Sequence, residues 1–166
     1  MKSTIALTIL AAVAAGTALA HPHFNKTVTA SLPGGVEAKI SYNTTPANEG
    51  RAASAAVGQF VTPRGPVLEL SGDVKVGDVS LATGQYTIGV IKNADDDWTL
   101  ALYPGRLGRG DTPDAAKVIR LDSVFSKDKG SASHMLLDVT PGDGKFEGKA
   151  ALTLHFGSLF LSGALS

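Results

Sequence analysis

Four histidines, His21, His23, His134 and His155, carry the clearest chemical signal in the chain, which has no cysteine. His21-Pro22-His23 follows directly on Ala18-Leu19-Ala20, the small-residue pattern at which an export signal is cut. Cleavage after Ala20 makes His21 the amino terminus. A terminal histidine offers two adjacent nitrogen donors, the α-amine and the imidazole, which chelate one transition metal ion and suit copper especially well. His23 lies two residues on, so an extended chain puts both side chains on one side. Pro22 removes the backbone N–H through which some amino-terminal copper motifs bind, and leaves the amine-plus-imidazole chelate intact.

A second imidazole would come from His23, His134 or His155. In Leu152-Thr153-Leu154-His155-Phe156, alternation sends the two leucines and the phenylalanine to one face, and Thr153 and His155 to the other. In Ser133-His134-Met135-Leu136-Leu137-Asp138-Val139, the apolar face is Met135, Leu137 and Val139, and His134 lies opposite with Leu136 and Asp138. Both strand histidines are expected to face away from the core.

The elements that must position these residues follow an exported leader. Met1-Lys2 supplies a positive start and Ile5 to Ala15 an apolar run of signal-peptide length, too short to span a bilayer. The expected division is a cleaved signal over residues 1–20 and one domain over 21–166, in the periplasm or outside the cell. Without cysteine there are no disulfides, thiolate ligands or lipid attachment, so stability must come from the core. Fifteen basic residues balance fifteen acidic ones, with no basic stripe of the kind nucleic-acid binding needs and no further apolar run to insert in a membrane.

Beyond the leader the hydrophobic period is two, punctuated by Gly, Pro, Asp and Asn, which predicts an all-β antiparallel sandwich, jelly-roll or immunoglobulin-like, with few or no helices. Val28 to Leu32 and Val36 to Tyr42 flank the turn Pro33-Gly34-Gly35. Short strands are expected over Val67 to Leu70, Val74 to Val76 and Val79 to Leu81. A hairpin joins Gln85 to Lys92 with Trp98 to Tyr103, and further strands run over Lys117 to Ser126, Ser133 to Val139 and Lys149 to Leu161. Pro46 to Gly58 and Pro104 to Asp114 are less regular, and either could hold a short helix.

The segment Asp73 to Val90, followed by Asp97-Trp98-Thr99-Leu100-Ala101-Leu102, resembles an uncharacterised family of secreted bacterial β-sandwiches, domain of unknown function 2911. The likeness runs from about residue 57 to 161, and more weakly from 28. The family's turn reads leucine-proline-alanine-glycine-threonine-tyrosine, and Leu81-Ala82-Thr83-Gly84-Gln85-Tyr86 stands in its place. Where the family carries a tryptophan-arginine-threonine-glycine-alanine-asparagine stretch, this chain has Phe60 to Pro66 instead. The resemblance implies a small sandwich and no activity. Gly84 is expected to permit the turn into the following strand, with Tyr86 and Trp98 packing in the core. In one respect the chain also looks like copper proteins that hold the metal in a histidine brace, and only His21 carries over to that motif.

Asp95-Asp96-Asp97 lacks the ligand pattern of a calcium loop and reads as a solvated turn. Arg106, Arg109 and Asp111 could form an anion-binding loop or a plain surface segment. Ser133 and His134 are neighbours on a strand, whose ordinary geometry points them to opposite faces, and no nucleophile elbow, phosphate loop or His-Glu-x-x-His pair is present. The reading that follows is a non-enzymatic exported domain that binds copper through His21. The alternatives are a structural or protein-interaction module without metal, and a secreted copper-dependent oxidoreductase.

Overall fold

The computed structural model describes residues 23–166; the expected export signal and His21 lie outside the described residues. Alternating sequences such as Glu-Ala-Lys-Ile-Ser-Tyr-Asn bury every second side chain, and strands dominate. In chain order they are β1 (Asn25–Ser31), β2 (Glu37–Asn43), β3 (Phe60–Val61), β4 (Val67–Leu70), β5 (Val74–Val76), β6 (Val79–Leu81), β7 (Gly84–Ala94), β8 (Asp97–Pro104), β9 (Ile119–Arg120), β10 (Ser123–Ser126), β11 (Ala132–Pro141), β12 (Ala150–Gly157) and β13 (Leu159–Ala164). One short helix, α1 (Glu49–Ala53), lies between β2 and β3.

The larger sheet has the order β1-β2-β4-β7-β8-β9, with β3 also on β7; the smaller is β10-β13-β12-β11, and β5-β6 forms a separate hairpin. All the strand pairings are antiparallel. The two sheets sandwich one core. Ile40, Leu68, Ile88 and Leu100 come from the larger sheet, and Met135, Leu152 and Leu161 from the smaller. Fully burying a side chain of this size stabilises by about 1.5–3 kcal/mol, and such contributions stand in for the missing disulfides. No helix among the described residues is long and apolar enough to cross a membrane.

Both expected hairpins form: β1 with β2 around the left-handed Gly34 and Gly35, and β7 with β8 across Asp95-Asp96. Gly84 has a φ of +144°, the conformation its position before Tyr86 called for, and Tyr86 and Trp98 are buried. Two expected strands divide. Lys117 to Ser126 breaks into a 3-10 turn, β9 and β10, because at Leu121 the chain crosses from one sheet to the other. There the Leu121 N–H donates to the Leu100 carbonyl, and the Ser123 hydroxyl accepts from the Leu100 N–H. Lys149 to Leu161 folds back on itself as β12 and β13, turning at Gly157, whose φ is +64°. Of the two irregular stretches, Pro46 to Gly58 holds α1, whereas Pro104 to Asp114 holds no helix, and the 3-10 turn follows it at Ala115–Lys117.

β7 is buried on both faces from Tyr86 to Lys92, and there the period of two disappears. Its outer side is covered by a second cluster of Phe60, Ile91 and Ala101. Phe60 comes so close that a Cβ on Gly89 would stand 2.5 Å from its Cζ and 2.6 Å from the Val61 carbonyl.

Candidate functional site

The segment that follows β2, Thr44 to Ala47, gathers two of the candidate histidines. On one side it continues the ladder with the start of β1: the Thr44 N–H donates to the Phe24 carbonyl at 2.8 Å, and the Phe24 N–H to the Thr44 hydroxyl at 2.9 Å. His23 is exposed, and its Nδ1 lies 3.3 Å from the Thr44 carbonyl. A carbonyl only accepts, so this contact puts the proton on Nδ1 and leaves the Nε2 lone pair for a metal.

The other side of the segment meets β11. The Met135 N–H donates to the Thr45 carbonyl at 2.8 Å, the Ala47 N–H to the Ser133 carbonyl at 2.9 Å, and Pro46 pairs with His134 between them. Proline suits this place because the pair between two hydrogen-bonded rungs asks no N–H of it. β11 reaches the segment because it bulges. Ala132 pairs with Gly157 and Leu136 with His155, so four steps along β11 face two along β12.

The bulge also corrects an expectation from ordinary strand geometry: the Ser133 hydroxyl does lie within hydrogen-bond reach of its neighbour, 3.1 Å from His134 Nδ1. Asp138, further along the strand, accepts from the Val139 N–H at 2.8 Å.

As alternation predicted, Met135 and Leu137 are buried and Leu136 and Asp138 exposed, with His134 and His155 between these extremes. His155 is engaged away from Thr44 to Ala47. Its Nε2 lies 3.3 Å from the Gly130 carbonyl, and its ring meets Phe160 edge-on at 5.5 Å between centroids. The structure therefore brings His23 and His134 to one segment and leaves His155 against Gly130 and Phe160. Among the described residues no three His, Asp or Glu side chains are grouped to hold a metal ion.

The aspartates of the β7–β8 turn serve the fold. Asp96 takes a φ of +59° and pairs with Lys127, while Asp95 pairs with Lys92 at 2.8 Å and is held below the usual carboxylate range by that bond and charge. In the Arg106–Asp111 loop, Asp111 accepts from the Gly108 N–H.

Sequence reading missed a second feature, a cleft of about 680 Å³ between the two sheets. Its walls include Val90 and Trp98 from the larger sheet and Leu154 and Phe156 from the smaller, with Arg51 and Arg64 among the polar residues. α1 is strapped beside it at both ends. The Glu49 carboxylate accepts from the N–H and the hydroxyl of Ser158, each at 2.7 Å, and buried Lys92 donates to the Ala53 carbonyl at 2.8 Å. The two Ser158 hydrogen bonds hold the Glu49 carboxyl below its ordinary range. The one trace of the cleft in the sequence was Pro63-Arg64-Gly65, a turn with an arginine at its tip. No protein-family model, curated protein or solved structure matches the chain.

Proposed function

We propose that this protein is an exported, non-enzymatic β-sandwich that binds copper through the amine and imidazole of His21, freed by cleavage after Ala20. The supporting observation is the Thr44 to Ala47 segment, which anchors His23 on one side and His134 on the other. His23 Nε2 is the nearest candidate to complete a site begun two residues upstream, since two residues span at most about 7 Å. His134 is the next candidate. Membership of the family of unknown function belongs to the same proposal, supported by left-handed Gly84 and the buried Tyr86 and Trp98.

The test is a copper titration of the exported protein, its amino terminus fixed by intact mass, beside a form with one alanine added before His21. One-to-one binding that the added alanine weakens at least tenfold is expected, with His23→Ala also weakening it and His155→Ala leaving it unchanged. A processed chain that does not start at His21, or equal binding by the native and extended forms, overturns the proposal.

A further inference from the structure

The cleft between the sheets has the size of a small-molecule site, for which about 300–1,000 Å³ is usual. Its apolar side is built from both sheets. Trp98 is 5% exposed and Phe156 8%, so these rings belong to the core and offer the cleft only an edge or a face.

The polar side is unbalanced in charge. Arg51 and Arg64 both line the cleft and are exposed, and neither pairs with a carboxylate among the described residues. The acid nearest in sequence to Arg51, Glu49, is already committed to Ser158. The side-chain oxygens of Asn48 and Gln59, also in the lining, accept from the backbone N–H groups of Arg51 and Ala56. The cleft thus presents cationic donors without matching acceptors.

Arg64 is there through a distortion of the sheet. β3 and β4 pair with the same strand, Val61 opposite Val90 and Val67 opposite Thr87, so six steps along β3–β4 face three along β7. The surplus is thrown out as Thr62 to Pro66, pinned at its base by the Thr62 hydroxyl donating to the Ile88 carbonyl and by the Ile88 N–H donating to the Pro66 carbonyl. At its tip Arg64 has a φ of +56° and Gly65 one of +54°. A left-handed arginine is strained, because its Cβ crowds the following carbonyl, and the fold retains one at the edge of a cleft.

We infer that this cleft binds an amphipathic carboxylate, its apolar body lying between Trp98 and Phe156 and its carboxyl group held by Arg51 and Arg64. Guanidinium groups suit the head because they present paired N–H donors to a carboxylate, and the apolar walls discriminate against small hydrophilic anions. No bond is made or broken. The lining reaches Thr45 and Pro46 of the segment that holds His23 and His134, but binding of the carboxylate uses no metal and does not rest on the copper proposal.

Trp98 is the single tryptophan of the chain, so tryptophan fluorescence reports on the surroundings of one residue, in the wall of this cleft. The exported protein, kept in EDTA, is titrated below micellar concentrations with decanoate, with decanol as the matched neutral probe, and with acetate as the head without the tail. Decanoate is expected to shift Trp98 emission saturably. Decanol should bind at least tenfold more weakly, and acetate should give no shift. In Arg51→Gln/Arg64→Gln, decanoate binding should fall at least tenfold to the level of decanol, with decanol unchanged and the thermal transition within a few degrees of wild type. An absent decanoate response, equal binding of decanoate and decanol, or full decanoate affinity in the double variant would each overturn the inference. Should the double variant unfold, the decanoate-to-decanol ratio of the wild type decides alone.

Discussion

Gly89 shows how little room one position of the sheet leaves. A methyl group there would meet both the Phe60 ring and the backbone oxygen of Val61 inside 3 Å, and the backbone cannot rotate aside as a side chain can. Overpacking of a tight core costs about 1–3 kcal/mol. Gly89→Ala is therefore expected to lower stability by about 2 kcal/mol, read as a lower urea midpoint at unchanged slope, and a stability equal to wild type would show that β3 is not pressed on β7. None of this was legible beforehand: a glycine inside Thr87-Ile88-Gly89-Val90 gives no hint of which ring faces it. The residues marked by chain direction fared better. Gly84, Tyr86 and Trp98 took the roles their places in the turn and strands implied, because turn geometry and ring burial are local or one-body properties. The contact between Ser133 and His134 was not legible, since it falls where β11 shifts register against β12 and meets Thr45 and Ala47, nearly ninety residues earlier in the chain.

At the scale of elements, α1 is a five-residue helix with no buried residue of its own, far below the length at which a helix is stable alone. Its position rests on the bonds at its ends. Glu49 joins it to the β12–β13 turn and Lys92 joins it to the larger sheet. Because the Ser158 hydrogen bonds lower the Glu49 pKa in the folded state, the stability this link contributes is complete above the ordinary glutamate value of about 4.3. It is lost as pH falls through the lowered folded value. The site is open to water, so the contribution is under about 1 kcal/mol. Glu49→Gln should speed hydrogen exchange of the Ser158 amide relative to wild type at pH 7, and the difference should shrink as pH falls below the ordinary glutamate range; a difference unchanged with pH would remove the carboxylate from the link. Ala- and Gly-rich composition marked this stretch as irregular, but the partner 109 residues away could not be read from it. The fold-back at Gly157-Ser158 was hidden for a related reason. Ala150 to Ala164 is apolar on both sides of the turn, and only the glycine marked it.

Across the whole molecule, the antiparallel sandwich was legible because alternation survives in most strands, while the order of the strands was not, since pairing joins segments far apart in sequence. The smaller sheet makes the point. β13 is the only strand between β10 and β12, so the sheet exists only once the last described segment is in place. The closure continues to the end. Leu165 is fully buried, its N–H donates to the Ala150 carbonyl at 2.8 Å, and the Ala150 N–H donates to the Ser166 hydroxyl at 2.9 Å. Leu165→Ala should cost about 2–5 kcal/mol, the range for truncating a buried leucine, and leave a folded, weaker protein. Ending the chain at Ser158 is a different loss. It strips β10 and β12 of a shared partner and uncovers the face that Leu161, Ala164 and Leu165 seal. With marginal stability of about 5–15 kcal/mol to draw on and no disulfide to retain the fragments, the shortened chain should show no near-ultraviolet circular dichroism and no cooperative melting transition. A cooperative transition in that chain would mean that the larger sheet folds by itself, and would move the core of the molecule away from the interface between the two sheets.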